Sequence, residues 1–153
     1  MKKFKVLIPK ETYSILDFKR DDLPAIAVVN NALRKFEPKE VFAWQLSIII
    51  DLKELIKNGM PSKKELKVVN AFGDFLDDNI KGPNKKKPNA LFLARITWNA
   101  TRQIIWRVFD PEVADSFLKE LIQDGGSARE FEYRMEADEQ WKFAEWYLKD
   151  WPK

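Results

Sequence analysis

The chain has 153 residues, of which 45% are hydrophobic, 13% aromatic and 33% charged, with a net charge of +3 and neither cysteine nor histidine. Without cysteine there is no disulfide framework, thiolate nucleophile or cysteine zinc knuckle. Without histidine, Ser-His-Asp and Cys-His catalysis and the usual zinc sites are excluded, which leaves carboxylate, lysine, tyrosine and arginine chemistry.

Residues 1–10 form a basic segment that is too briefly apolar for a signal peptide, and Pro9 and Lys10 stand where a small-residue cleavage site belongs. No apolar run reaches the ~20 residues of a membrane span. The expectation is a cytoplasmic protein with no membrane contact, and the length fits one domain over residues 1–153. Residues 13–18 and 25–31 read as two strands around the Asp21-Asp22 and Pro24 turn, a hairpin extension within residues 11–36. Residues 34–40, charged and carrying Pro38, read as a loop. Residues 41–50 alternate, with Phe42, Trp44, Leu46, Ile48 and Ile50 on one face, and read as a strand. Asn58-Gly59-Met60-Pro61 is a stop. Ser62 and Glu65 then form a capping box for a helix to about Lys81, with Leu66, Val69, Gly73, Leu76 and Ile80 as its buried stripe. Gly73 in that stripe predicts close approach of helix to sheet.

Residues 90–98 and 102–109 read as a hairpin around Asn99-Ala100-Thr101. Asp110-Pro111 starts a second helix, with Val113, Ala114, Phe117, Leu118, Leu121 and Ile122 as its apolar face, and Gly125-Gly126 ends it. Residues 129–136 alternate as a strand with Phe131, Tyr133 and Met135 inward, and Asp138 caps a last helix over residues 138–150. The order strand, helix, strand, strand, helix, strand over residues 41–136 is that of a ferredoxin-like βαββαβ core. The predicted class is α+β: an antiparallel ferredoxin-like sheet with an N-terminal β-hairpin extension and a C-terminal helix.

Three stretches together resemble the bacterial domain-of-unknown-function family 695. They are Gly59-Met60-Pro61-Ser62 with Glu65; Ala94-Arg95-Ile96-Thr97-Trp98 with Arg102; and Phe131-Glu132-Tyr133-Arg134 followed by Asp138 and Trp141. The resemblance runs from about Tyr13 to Leu148. Two positions depart from it: Asn99-Ala100 at a hairpin tip that would carry glycine, and Glu139 where proline is usual. The family has no agreed activity. Its distant similarity to regulator of ribonuclease activity B, an inhibitor of a ribonuclease, implies a binding or regulatory protein by analogy.

Strict alternation puts Trp44, Trp98 and Trp106 with Phe42, Ile96 and Ile104 on the helix-covered face, where they are expected to pack as core. The opposite face then carries Gln45, Ser47, Arg95, Thr97, Gln103, Ile105, Arg107, Phe109, Glu132, Arg134 and Glu136. Arg95, Arg107 and Arg134 from three strands form either a cross-strand ladder with Glu132 and Glu136, the simpler reading, or a guanidinium cluster for an oxyanion. The candidate binding face is accordingly Arg95, Arg107, Arg134, Gln45, Thr97 and Phe109. Trp141, Phe143, Ala144, Tyr147, Leu148 and Trp151 fill one continuous arc over more than half the circumference of the last helix, with Trp146 off its edge, and the candidate interface residues are Trp141, Trp146, Tyr147 and Trp151. That helix either folds over the open sheet face or the first two strands, or offers an interface.

Lys85, Lys86 and Lys87 read as a solvated loop tip in preference to a phosphate contact, and Asp74, Asp77 and Asp78 as a solvated helix face in preference to a Mg²⁺ site. The charge is too dilute for a nucleic-acid binder: +6 over residues 1–88 and −3 over residues 89–153. The expected function is non-catalytic binding of another protein or a second copy of the chain. No cofactor or metal is expected. Capture of a small anion or nucleic acid by the arginines comes second, and a carboxylate-based enzyme third.

Overall fold

A computed structural model describes residues 6–149. Six antiparallel strands form one sheet: β1 (Tyr13–Arg20), β2 (Leu23–Asn30), β3 (Trp44–Asp51), β4 (Ala90–Trp98), β5 (Thr101–Val108) and β6 (Phe131–Ala137), in the order β1-β2-β4-β5-β3-β6. The helices are α1 (Lys63–Lys81), α2 (Pro111–Asp124) and the single turn α3 (Glu145–Leu148). The class is therefore α+β. No helix among the described residues is long and apolar enough to cross a membrane.

Local chemistry sets most of these boundaries. Asp21 and Asp22 both take positive φ, as do Asn99 and Ala100, which is the geometry of tight two-residue hairpin turns. The Ser62 hydroxyl accepts from the Glu65 amide at 3.1 Å and starts α1. The Asp110 carboxylate accepts from the Glu112 amide at 3.0 Å, ahead of Pro111, and starts α2. The expected close approach at Gly73 is present: a Cβ there would sit 3.3 Å from Ile104 Cδ1.

Both sheet faces are covered. On one, α1 and α2 bury Leu46, Ile48, Ile50, Ile104, Trp106 and Val108. In α1 the buried positions are Glu65, Val69, Phe72, Leu76 and Ile80; Leu66 is exposed, because the ion pair described below draws Glu65 inward instead. In α2, Val113 and Ile122 are likewise exposed. On the other face, 3-10 turns at Asn31–Lys35, Lys39–Phe42 and Lys142–Ala144 close over Val29, Leu91, Leu93, Ala94 and Ile105.

Several expectations need correction. The loop expected over residues 34–40 is confined to residues 36–38, with a 3-10 turn ending at Lys35 and another starting at Lys39, and Val41 and Phe42 belong to that second turn instead of β3. Phe42 therefore packs on the second face, edge-on to Phe36. The helix expected over residues 138–150 is a 3-10 turn followed by the single turn α3, because Trp141 takes φ +59° and breaks the helical path. Trp151 lies outside the described residues, as do residues 1–5 of the basic N-terminal segment.

The most consequential difference lies in β4. Leu91 pairs with Arg107 and Phe92 with Trp106, but Ala94 pairs with Ile105, so Leu93 is an extra residue in a β-bulge. Beyond it the facing of every side chain inverts. Arg95 and Thr97 point to the α1 side, whereas Ile96 and Trp98 point to the other. Trp98 packs there against the Arg20 guanidinium and donates its ring N–H to the Arg20 carbonyl at 2.9 Å.

Candidate functional site

Arg95, Arg107 and Arg134 do not converge. Arg107 is fully buried at the centre of the second face. Its Nη1 donates to Asp138 Oδ2 at 2.9 Å and Gln45 Oε1 at 3.2 Å; its Nη2 donates to the Phe42 and Asp138 carbonyls. The Trp141 ring lies 4.8 Å over the guanidinium. Burial pulls the Arg107 pKa below its ordinary value, against the opposing pull of Asp138. Gln45 and Arg107 are thus committed to holding the C-terminal segment and are closed to a ligand. The same Asp138 carboxylate accepts from the Lys142 and Phe143 amides, each at 2.9 Å; it ties down the 3-10 turn at Lys142–Ala144 and is not the N-cap of the continuous helix expected there, a position that falls to Trp141. Arg134 projects from the edge strand β6, 79% exposed, with Glu136 at 4.0 Å. Phe109 follows β5, exposed and edge-on to Phe42. Trp141 is buried. Trp146 packs edge-on against Phe18 and Tyr147, which fixes α3 to the β1–β2 flank.

The bulge brings a different pair together on the α1 side. Arg95 and Arg102 are diagonal neighbours across β4 and β5, with Arg102 opposite Thr97 and Arg95 opposite Ile104. Both line a groove of about 370 Å³ between α1 and the β1–β2 flank, together with Asn70, Asp74, Tyr13 and Ile15. Arg102 is buried; its Nε donates to Thr97 Oγ1 at 3.1 Å and its Nη1 to Asn70 Oδ1. Burial and the neighbouring Arg95 push its pKa down to about 10, so it remains charged at neutral pH. Burial also lowers the Arg95 pKa, with Asp74 and Tyr13 acting the other way. Tyr13 donates to Glu11; partial burial and that bond push its pKa up to about 12, so it stays a neutral phenol.

At the far end of the groove the carboxylates are already taken. Asp77 accepts from the Trp106 ring N–H at 2.8 Å and pairs with Lys81 at 3.0 Å, and Glu11 pairs with Lys81 at 2.8 Å. Asp77 is thus half of a fixed network instead of a solvated helix-face acid. Lys85, Lys86 and Lys87 are exposed on their loop, as expected.

Glu65, a residue of the motif stretches, is a structural acid. It is buried, receives two hydrogen bonds from the Arg129 guanidinium and accepts from the Lys53 amide at 2.9 Å. These contacts outweigh burial and lower its pKa from 4.5 to about 2. A depressed carboxylate pKa stabilises the fold above the unfolded value and stops doing so as pH falls through the folded one. The pair should therefore contribute roughly 3 kcal/mol at neutral pH, lost between pH 4.5 and pH 2. Urea unfolding across that range should show the loss, and Glu65→Gln should flatten it.

Strict alternation could not find Arg102 or Asn70 as site residues, because it assigned Arg95 and Thr97 to the wrong side. One signal was available. Residues 90–94 are uninterrupted apolar positions, so alternation through them mixes Leu91 and Leu93 with Arg95 and Thr97 on one face. A bulge resolves that conflict.

A family model described as a family of unknown function, DUF695, matches residues 16–148, and the chain belongs to that family. No curated protein and no solved structure matches the chain.

Proposed function

We propose that the protein is a non-catalytic, cytoplasmic binding protein that engages another protein through the groove between α1 and β1. The observation that carries this reading is the state of β1. It is an edge strand whose groove-side residues Tyr13 and Ile15 stand 54% and 71% exposed beside the charged floor of Arg95 and Arg102. An edge strand offers unpaired backbone groups to an incoming chain, and an exposed apolar wall with a cationic floor gives such a chain both area and orientation. The carboxylates lining the groove are engaged with Lys81 or lie exposed at its rim, which supports binding in preference to acid–base chemistry. The order β4-β5-β3-β6 supports the ferredoxin-like reading of the core.

The test is affinity purification from the native host with the wild-type chain, Ile15→Asp and Arg134→Ala. Ile15 is a surface residue, so Ile15→Asp should keep the wild-type melting temperature while weakening capture of the partner about tenfold or more. Arg134→Ala should capture it normally. A partner held equally by wild type and Ile15→Asp overturns the assignment of the groove.

A further inference from the structure

We infer that Arg95 and Arg102 form an oxyanion subsite in the floor of the groove. This rests on the reading of the groove as the binding surface and says which chemical group is read there. Like charges set diagonally across two strands repel, and burying them raises the cost unless a counter-charge is near. Neither guanidinium has a carboxylate within 4.0 Å among the described residues, in contrast to Arg107 and Arg129. Arg102 is oriented by Thr97 and Asn70, which occupy its Nε and Nη1, and its Nη2 has no hydrogen-bond acceptor among the described residues. The only buried side-chain polar atom among the described residues with no partner is Arg107 Nε, so Arg102 Nη2 is not sealed inside the core. Arg95 has no hydrogen-bond partner among the described residues, and it lines the same groove. Two forked donors with one held rigid suit a carboxylate or phosphate better than a point cation does. Asp74 stands exposed at the rim and repels an incoming anion, so it sets the affinity from outside the subsite.

The group is an oxyanion from one of two sources: free phosphate, or an acidic side chain of the partner. Titrations of the intact protein with inorganic phosphate and with N-acetylglutamate amide, followed by the NMR signal of the Arg102 Nε–H, separate them. Saturable shifts with the amide place an acidic side chain there; saturable shifts with phosphate alone place free phosphate there. Arg95→Gln should weaken binding roughly tenfold, the factor that follows from one charge-assisted hydrogen bond, and Asp74→Asn should strengthen it several-fold. A gain of affinity in Asp74→Asn cannot come from misfolding. No saturable shift with either probe, or a shift indifferent to both substitutions, overturns the subsite. Because the protein is titrated alone, the subsite can stand while partner capture fails, and capture through Ile15 can stand while the subsite fails.

Discussion

Asp138→Ala is expected to lower the free energy of unfolding by about 3–5 kcal/mol, the usual effect of leaving a buried charge without its partner. The Arg107 guanidinium is fully buried, and among the described residues Asp138 is the only carboxylate paired with it, at 2.9 Å. Removing that carboxylate leaves the cation, among the described residues, with neutral acceptors only: the Phe42 and residue-138 carbonyls and Gln45 Oε1. It also frees the Lys142 and Phe143 amides that Asp138 caps. Urea denaturation checks the magnitude. The double variant Arg107→Met, Asp138→Ala separates charge from packing. It should be more stable than Asp138→Ala alone, since replacing a whole buried ion pair by apolar groups is far less harmful than breaking one. A loss below about 1 kcal/mol for Asp138→Ala would show that neutral acceptors suffice to hold the guanidinium.

Trp141→Ala should cost a similar amount, about 3–5 kcal/mol, by opening a cavity in the second core. The indole is 2% exposed. It stacks on Phe36 at 5.6 Å with 12° between the planes and lies 4.8 Å over Arg107. Its ring N–H donates to the Lys39 and Phe42 carbonyls, at 2.9 and 3.0 Å. Trp141→Phe keeps an aromatic ring against Phe36 but loses both hydrogen bonds, and should cost only about 1–2 kcal/mol. Trp146→Ala, at a position 36% exposed, should also cost less than Trp141→Ala. Equal losses from Trp141→Ala and Trp146→Ala would mean that the ring over Arg107 does not anchor this layer.

The regular elements were legible because their signals are local. The Ser62 N-cap, the Asp110-Pro111 start and the alternation of Trp44, Leu46, Ile48 and Ile50 each act within a few residues, and each element stands where those residues put it. Only half of the expected capping box forms: the Ser62 amide donates to the Glu54 carbonyl at 3.0 Å, and the Glu65 carboxylate turns away to Arg129 and the Lys53 amide. Two kinds of feature were not legible. The first is a one-residue insertion in pairing: Leu93 changes no composition, yet it moves Arg95 and Thr97 across the sheet and pairs Arg95 with Arg102 in place of Arg107 and Arg134. The second is long-range commitment. Arg107 looked like a surface cation because a sheet face reads as open until the segments that cover it are placed. Those segments come from residues 31–42 and 138–148, far from Arg107 in the chain. The broken C-terminal helix belongs here too. Aromatic periodicity favoured a continuous helix, but seating the Trp141 ring over Arg107 goes with a left-handed backbone at that residue.

The attachment of Arg107 to Asp138 also imposes an order in time. Asp138 follows Arg107 by 31 residues, which at about 5–20 residues per second is roughly 2–6 s of synthesis. During that interval β5 can pair with β4 and β3 and receive α1, since every residue of that side except α2 and β6 has already been made. The other side of the same strand keeps a cation that must stay in water until its counter-charge emerges. The two layers of the sheet thus dry in sequence, the α1 side first, and a nascent chain halted between the two residues would expose the second layer to chaperones or to a neighbouring chain.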